Sequence, residues 1–436
     1  MDVSNAALSP TDAPPDVDRA FGAWGAFHRD DPFPLLERVQ ERGTVHPITL
    51  ADGHPAWLVT GAAEARTALN DVRLSKNMHA AFASGDDVVA EGLPGPALAH
   101  HMLAVDPPDH TRLRRLVATA FTAARVEDLQ PQVQSIVDDL LDAVVARGPD
   151  AVTDLVADFS FPMPFAVICQ MLGIPVPDRE QLGTALTRLL KPTNSPAEYA
   201  DAKRASDTVV ATLERVVALK HDTPGDDLVT ALIRARDGEE RLTQPELLSS
   251  IFQLIVAGHD TTANLIGNGM VALLTHPEQL HRLQADPELL DDAFEELLRF
   301  DPPAPHATFR FTTESVELGG QTIPAGSQVI VNLAAANRDP ALNGNPNVLD
   351  VARADGRHLA FGHGIHFCLG ARLARMEGHV ALGSLVRRFP EMRLAVPVSS
   401  LHWDHGDGLV LRGLSHLPVI AGPARARRTR SQSGSW

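Results

Sequence analysis

The sequence predicts a mainly helical α+β protein, with one long helix at the centre of a large core and a few small β-sheets. Three observations support this fold class. Ala, Leu, Val, Glu and Arg dominate the chain in apolar patterns of helical period. Pro and Gly recur between these periodic segments, where they interrupt regular structure. Strand-like runs are short and few, which favours small sheets among many helices.

The length of 436 residues exceeds that of a typical single domain. We find no internal linker and no repeat, however, and therefore predict one large domain over residues 1–436. Its two ends, 1–20 and 424–436, have the composition of disordered tails. The second tail is basic, so electrostatic docking is an alternative interpretation of it.

The formal net charge is −17. This charge argues against a general nucleic-acid binder, which would present a basic surface. No run approaches the roughly 18 apolar residues that a membrane helix needs. The first residues also lack the basic and then apolar regions of a secretion signal. We therefore expect a cytoplasmic protein with no nucleic-acid and no membrane partner. We also predict that it is a monomer.

Strand-like runs occur near residues 44–60, 316–333 and 408–419. The second run contains Gly319-Gly320, which is typical of a β-hairpin turn. The shortness of the runs, among many helices, predicts several small sheets.

The long helix is predicted over Thr243–Thr275. A T-x-x-E capping box formed by Thr243 and Glu246, with Pro245 in the first turn, indicates its N-terminus. The segment stays apolar for about thirty residues, equivalent to roughly 45 Å of helix. A helix this long and apolar on nearly all sides belongs in the centre of a large core.

Polar residues interrupt the middle of this helix in the sequence AGHDTT, residues 257–262. Glycine costs about 1 kcal/mol in a helix interior, and buried Asp and Thr need hydrogen-bond partners. One interpretation is a polar face turned to solvent. The other is a distorted turn that lines a site, in which Gly258 makes room for a bulky group while Asp260 and Thr261 handle protons or water.

Two cysteines allow at most one disulfide, which is not expected in a cytoplasmic protein. Cys169 lies in the apolar stretch FAVICQMLGIPV, which predicts a free cysteine in a buried helix. Cys368 lies in FGHGIHFCLG, residues 361–370, among three glycines and two histidines. Its candidate roles are a disulfide partner, a zinc ligand, a nucleophile, a haem ligand and a buried filler. The absence of C-x-x-C and of finger-like Cys/His spacing argues against structural zinc.

Three separated segments now combine: AGHDTT, EELLRFDPP and FGHGIHFCLG. The second contains E-x-x-R as Glu296 and Arg299, and the third has the form F-x-x-G-x-x-x-C-x-G. In this order and at these separations they resemble the cytochrome P450 family, in its soluble bacterial class. The resemblance covers about residues 22–420. Within the family, the sequence most resembles in character the actinobacterial subgroup that tailors polyketide macrolides.

The resemblance implies haem b (iron protoporphyrin IX) as the cofactor and Cys368 as the axial thiolate ligand of its iron. Such a thiolate pushes electron density onto the iron and favours O–O cleavage. A helix is predicted directly after the cysteine, and its dipole favours the anion. The residues implied to contact the haem or its propionates are His110, Arg114, Ala257, Gly258, Arg310, Phe361, Gly364, His366 and Gly370.

In this family the E-x-x-R pair is buried and joined by an arginine from the meander before the cysteine loop. The resemblance implies such a structural brace at Glu296, Arg299 and Arg353. The chain departs from the family pattern in the meander itself, where Asn343 and Leu349 occupy positions at which phenylalanine is usual. We therefore expect unusual packing there.

The resemblance implies a monooxygenase that inserts one oxygen atom from O₂, by hydroxylation or epoxidation. Thr261 would order a water, and Asp260 would relay protons from solvent. The chain has no G-x-G-x-x-G unit and no length for a fused flavin domain, so a separate ferredoxin and ferredoxin reductase are implied. Four basic residues are expected to dock an acidic ferredoxin: Arg112, Arg115, Arg372 and Arg375. The alternative is that they lie on solvated helix faces and have no docking role.

The substrate pocket is expected, by analogy with the family, to draw on residues 77–101 and 178–200 and on single residues elsewhere. Those single residues are Val256, Pro305, His306, Ala307 and Leu409. Their mostly small or apolar character suits a bulky lipophilic molecule, and a polyketide or macrolide is predicted. A steroid or terpenoid hydroxylase, an aromatic-coupling oxidase, a peroxygenase and a non-catalytic haem-binding sensor are the alternatives.

Overall fold

The structure is a computed structural model that describes residues 31–50, 54–77, 98–191, 195–235, 240–354, 356–404 and 410–427. This part of the chain is mainly helical with short strands, in agreement with the predicted class. Of the two predicted tails it includes only 424–427, where Arg427 forms ion pairs with Asp138 and Asp142. Leu409 lies outside the described residues.

Helices build most of the described chain, and a π-helical turn over Val156–Ser160 leads into the sixth of them. No helix in the ranges given above is long and apolar enough to cross a membrane. The helices are α1 (Phe33–Gln40), α2 (Ala62–Asn70), α3 (Asp109–Ala120), α4 (Ala123–Asp128), α5 (Gln130–Ala146), α6 (Pro162–Met171), α7 (Val176–Leu189), α8 (Pro196–Asp222), α9 (Leu228–Arg234), α10 (Gln244–Thr275), α11 (Pro277–Ala285), α12 (Leu290–Phe300), α13 (Leu333–Asn337) and α14 (Ala371–Arg388).

The strands are short and form small sheets. They are β1 (Val45–Thr49), β2 (Pro55–Val59), β3 (Leu74–Ser75), β4 (Val152–Asp154), β5 (Arg310–Thr312), β6 (Val316–Leu318), β7 (Gln321–Ile323), β8 (Gln328–Val331), β9 (Arg393–Leu394), β10 (Trp403–Asp404), β11 (Gly413–Leu414) and β12 (Pro418–Ile420). The largest sheet has the order β1-β2-β8-β5-β3, in which β2 and β8 are parallel and the other pairs antiparallel. A second sheet has three strands in the order β4-β12-β9. The pairs β6-β7 and β10-β11 form two-stranded sheets.

The predicted hairpin turn at Gly319-Gly320 is confirmed between β6 and β7. Both glycines have positive φ, 55° and 74°. This left-handed geometry is the one that a tight two-residue hairpin turn requires and that glycine adopts without strain.

The central helix α10 is confirmed with the predicted boundaries. Thr243 is its N-cap, and the capping box with Glu246 is formed. At 32 residues it is about 48 Å long. It continues through residues 258–262 without a break, whereas a distorted turn was one expectation there. The helix tolerates these polar residues because their side chains find hydrogen-bond acceptors within reach, as with Thr261 and the Ala257 carbonyl.

The main hydrophobic core surrounds α10 and includes buried residues of α5, α6, α8, α12 and α14. Two smaller clusters cover the faces of the five-stranded sheet. Cys169 of α6 is fully buried and free, as predicted, and burial raises the pKa of its thiol to about 12. This thiol is therefore a packing group.

Candidate functional site

The cysteine loop ends where α14 begins. Gly370 is the N-cap of that helix, so Cys368 lies two residues before the N-cap, close to the helix N-terminus, as expected from the sequence. The Cys368 N–H donates to the Phe361 carbonyl at 2.9 Å and closes the loop. A Cβ at Gly364, whose φ is 72°, would lie 2.7 Å from a backbone oxygen near the end of α2. Only glycine lets the loop pack this closely against that helix.

The thiol of Cys368 is accessible but closely surrounded by protein. Its side chain has accessible surface, yet burial raises the pKa of its thiol. The Gly370 N–H donates to the sulfur, and the guanidinium groups of Arg114 and Arg375 oppose the rise. Arg375 also lies 4.6 Å above the ring of Phe361. These groups fit a sulfur that acts as a thiolate ligand of iron.

The structure brings the four expected propionate-binding residues together. The rings of His110 and His366 meet edge to face, 4.4 Å apart. Arg114 reaches from α3 to the Phe367 carbonyl at 2.7 Å. Arg310 is 3% exposed and, like Arg114, acts electrostatically on His366. Burial and then the neighbouring cations lower the pKa of His366 to about 3, so its imidazole is held neutral.

Buried donors without acceptors mark this cluster. In the part of the chain that the structure describes, Nδ1 of His366 has no hydrogen-bond partner, and His110 makes no hydrogen bond of good geometry, its one polar neighbour being the backbone of Ile365. Buried polar groups of native proteins are nearly always bonded, so these atoms indicate an additional acceptor. The two carboxylates of haem b supply anionic acceptors of this kind. The residues present therefore fit that cofactor.

Two further residues belong to this cluster: Lys76, which the sequence analysis missed, and His101, which it placed only within the expected pocket range 77–101. Lys76, which follows β3, is 8% exposed, and its ammonium group donates to Thr308 Oγ1 and, at 2.8 Å, to the Phe309 carbonyl. Burial lowers its pKa, and Arg310 contributes. Burial and then Lys76 also lower the pKa of His101, to about 4. No local pattern marks either residue, since both join the cluster through tertiary packing.

The polar segment of α10 has three kinds of contact. The Thr261 hydroxyl donates to the Ala257 carbonyl at 2.6 Å. Asp260 is partly exposed, and burial raises the pKa of its carboxyl group. A Cβ added at Gly258 would meet Ile168 of α6 at 3.4 Å. This is an ordinary van der Waals distance, so Gly258 lies beside α6, and its expected place next to a bulky group stays a prediction.

A buried acid that the sequence analysis did not select links α10 to α14. Glu377 is 1% exposed and accepts a hydrogen bond from the Thr262 hydroxyl. Burial raises the pKa of Glu377 to about 8. Among the described residues nothing bonds to its Oε2. A glutamate on an otherwise apolar helix face was the available signal in the sequence.

The predicted brace residues are in contact. Arg299 and Glu296 are fully buried and form a two-point pair with distances of 2.6 and 2.9 Å. Arg353 joins the same carboxylate at 3.0 Å. Both arginines also donate to meander carbonyls, including that of Val348. The pair thereby fastens α12 to the meander.

The unusual meander residues have distinct environments. Leu349 is 1% exposed and belongs to the main core. Asn343 is 5% exposed, and its amide donates to the carbonyls of Asn337 at 3.1 Å and Arg357 at 2.9 Å. Hydrogen bonds therefore hold this part of the meander in place of an aromatic side chain.

The candidate pocket residues differ in accessibility. Pro305 and His306 are buried, and the His306 ring contacts the side chain of Asn332 at 3.0 Å. Val256 and Ala307 keep accessible surface. The segments 78–97 and 192–194 of the expected lining lie outside the described residues.

Each arginine of the expected ferredoxin face is paired with a carboxylate of its own chain. Two of the pairs are well exposed: Arg115 with Glu240 and Arg372 with Glu127. The other two are Arg112 with Glu246 and Arg375 with Glu295.

A family model described as Cytochrome P450 matches residues 69–405. The cytochrome P450 monooxygenase PikC of Streptomyces venezuelae is 43% identical over 410 residues, which are 94% of this chain and 95% of that protein. The 6-deoxyerythronolide B hydroxylase of Saccharopolyspora erythraea is 41% identical over 400 residues, 90% of this chain and 96% of that protein. The structure of the tirandamycin C-bound P450 monooxygenase TamI has a TM-score of 0.80 and 42% identity, covering 91% of this chain and 99% of that one.

The matched range contains the polar segment of α10, the E-x-x-R pair and the cysteine loop. The two curated relatives are a monooxygenase and a hydroxylase, and the similarity extends over nearly the whole length of each. The chain therefore belongs to the cytochrome P450 family, and it is a monooxygenase with haem b as its cofactor.

Proposed function

We propose that this enzyme inserts one oxygen atom from O₂ into a bulky lipophilic substrate of the polyketide or macrolide type. The observation that carries the proposal is its similarity, over nearly the whole chain, to a hydroxylase of 6-deoxyerythronolide B and to a tirandamycin C-bound enzyme. The apolar character of Val256 and Ala307 agrees with it.

Spin-state titration of the haem-loaded enzyme against a macrolide, a steroid and a terpenoid panel tests the substrate class. We expect saturable shifts with macrolides at concentrations where the other two classes give none. Tighter binding of a steroid or terpenoid would overturn the proposed class while leaving the enzyme family unaffected.

Haem b, when bound, supplies the activation of O₂. Cys368 is the proposed ligand of its iron, since the Gly370 N–H and two guanidinium groups favour a thiolate there. His110, Arg114, Arg310 and His366 are the proposed propionate partners, on the evidence of the unpaired ring nitrogens already described.

The reduced, CO-bound spectrum tests the ligand. We expect the strongly red-shifted Soret band of thiolate ligation in the wild type and in Cys169→Ser, whose thiol is a packing group. Cys368→Ser is expected to lose that band. A Cys368→Ser protein that keeps it would overturn the assignment.

Thr261 and Asp260 are the proposed proton-delivery pair. The Thr261 hydroxyl proton is committed to the Ala257 carbonyl, so its oxygen keeps lone pairs with which to accept a hydrogen bond from water. Asp260 is adjacent, and burial raises the pKa of its carboxyl group, which favours the protonated form, while His259 opposes the rise. Thr261 thus orders the water that receives the proton, and Asp260 provides the proton.

Thr261→Ala is expected to divert reducing equivalents from product to hydrogen peroxide. Thr67→Ala is the matched control, because Thr67 makes the same bond to the carbonyl four residues earlier, at 3.0 Å, on the exposed face of α2. The assay measures product and peroxide per electron pair consumed. Full coupling in Thr261→Ala would contradict the role.

A separate ferredoxin and its reductase are the proposed electron donors, and Arg115 and Arg372 are the best probes of docking. Their ion pairs are exposed, so charge reversal there leaves the fold intact. We expect Arg115→Glu and Arg372→Glu to weaken ferredoxin binding. Arg204→Glu, at an exposed pair on α8, is the control. If Arg115→Glu and Arg372→Glu bind ferredoxin as tightly as the wild type and the Arg204→Glu control, this face is not the docking site.

A further inference from the structure

Lys76 is a lysine that the fold holds inside the protein. It follows β3, which pairs with β5 so that Ser75 lies opposite Phe311. Asp106 fixes the backbone at this point: its Oδ1 accepts from the Lys76 N–H at 2.9 Å, and its Oδ2 accepts from the Ser75 hydroxyl. Lys76 is 8% exposed, although lysine is almost never buried this far without a charged partner. The burial of its ammonium group therefore calls for an explanation.

The ammonium group of Lys76 has neutral partners in the chain. It donates to Thr308 Oγ1 and, at 2.8 Å, to the Phe309 carbonyl. Among the residues that the structure describes, no carboxylate lies within ion-pair distance of it and no acceptor takes its third N–H. Asp106 acts on it only from a distance, because the carboxylate oxygens contact the backbone of Lys76 and the Ser75 hydroxyl. A buried ammonium group without an anion beside it is costly.

A second buried cation lies next to this group. Arg310 is 3% exposed, and its Nη1 donates to the Thr308 carbonyl at 2.8 Å. Lys76 and Arg310 thus both donate to Thr308, one to the hydroxyl and the other to the carbonyl. Burial and then Arg310 lower the pKa of Lys76. Two like charges held this close in the interior are stabilised only when an anion joins them.

The charges around His366 are unequal in number. Lys76, Arg310 and Arg114 all act electrostatically on its ring. Asp106 is the carboxylate that acts on both Lys76 and Arg310. Three cations against one carboxylate leave an excess of two positive charges in this part of the described chain. Haem b brings two carboxylates, so the excess matches the cofactor only when Lys76 is counted.

We propose that Lys76 is a haem-binding residue, whose third N–H donates to a propionate carboxylate of haem b. The inference rests on the proposed propionate site of His110, Arg114, Arg310 and His366, and it extends that site to the end of β3. An ammonium–carboxylate hydrogen bond is about twice as strong as a neutral one. Lys76 therefore helps to retain the cofactor.

Release of haem to an excess of a haem-scavenging apoprotein measures this contribution without turnover. Lys76→Met keeps the length of the apolar stem and removes the charge. We expect it to release haem b roughly 10- to 100-fold faster than the wild type, the loss typical of one hydrogen bond to a charged group. Lys203→Met, at an exposed ion pair on α8, is the control and should release haem b at the wild-type rate.

The dimethyl ester of haem b separates an action on the carboxylates from a purely structural role. The ester has the same ring and iron but no charged propionates. We expect Lys76→Met to release the ester no faster than the wild type does. Three results overturn the inference: wild-type release of haem b by Lys76→Met, acceleration by the same factor for both cofactors, and a variant that loads neither.

Thr308→Val tests whether the contact inside the protein accounts for the effect. It removes the hydroxyl acceptor and leaves the ammonium group in place. We expect release of haem b close to the wild-type rate, because the Phe309 carbonyl and the propionate still hold the group. Acceleration equal to that of Lys76→Met would mean that Lys76 serves to brace Thr308, and the inference would fail.

Arg310→Met distinguishes the inference from the site on which it rests. If Arg310→Met releases haem b and the ester at wild-type rates, the proposed propionate site fails. If Arg310→Met speeds the release of haem b alone while Lys76→Met behaves as the wild type with both cofactors, only the role of Lys76 fails.

Discussion

Replacing Glu377 by Gln is expected to stabilise the enzyme at neutral pH but not in acid. Glu377 is 1% exposed on α14, and burial raises the pKa of its carboxyl group from 4.5 to about 8, against the opposing hydrogen bond from Thr262. The folded protein therefore binds this proton more tightly than the unfolded chain. The free energy of unfolding is highest below pH 4.5 and falls as the pH rises toward about 8.

The magnitude follows from the width of that interval. Each pH unit within it costs about 1.4 kcal/mol of unfolding free energy. Between about pH 5.5 and about pH 7.5 the wild type should lose about 3 kcal/mol relative to Glu377→Gln. Gln keeps an acceptor oxygen for Thr262 and carries no ionisable group, so the difference isolates the ionisation of Glu377.

Urea unfolding of the haem-loaded enzyme, followed by circular dichroism across this pH range, measures the difference. Glu278→Gln is the control, because Glu278 is an exposed residue of α11 and its variant should follow the wild type at every pH. Parallel stability curves for the wild type and Glu377→Gln would refute the reasoning. They would mean that Glu377 is charged at no extra cost in the folded protein.

Three further predictions concern the brace, the meander and the cysteine loop. Glu296→Gln leaves the fully buried Arg299 without its counter-charge, and we expect a loss of about 3–5 kcal/mol in urea unfolding. Asn343→Leu removes the donor to two backbone carbonyls, and we expect a loss of about 1–3 kcal/mol in the same assay. Gly364→Ala adds a side chain at positive φ and 2.7 Å from a backbone oxygen, so the yield of haem-loaded protein should fall. Gly344→Ala, whose Cβ would meet nothing within 4 Å, should not reduce that yield.

Each of these expectations has a clear contrary result. Wild-type stability in Glu296→Gln would mean that Arg299 is satisfied by backbone carbonyls alone. Wild-type stability in Asn343→Leu would mean that water replaces the amide. Equal haem content in the two glycine variants would mean that the loop shifts away from α2 without consequence.

Local signals in the sequence were sufficient for the elements that carry the site. The capping box defined the start of α10, and the glycine pair defined the turn between β6 and β7. The order of the three motifs identified the family. The cap, the turn and each motif taken singly are decided by residues close together in the chain, so a single sequence contains the information.

What the sequence could not predict depends on which elements meet. Lys76 reaches the cationic cluster through the packing of the chain after β3 against the residues before β5. Glu377 is buried because α14 lies against α10 at Thr262. The orientation of His259 is set by a carbonyl 98 positions away in the chain.

The four paired arginines near the cysteine loop make that face nearly zwitterionic instead of strongly basic. A redox partner with an acidic surface must compete with carboxylates that this chain already provides, such as Glu127 and Glu240. Dissolved salt screens these internal pairs and the intermolecular ones together. The affinity for such a partner should therefore fall less steeply with ionic strength than four unpaired arginines would imply.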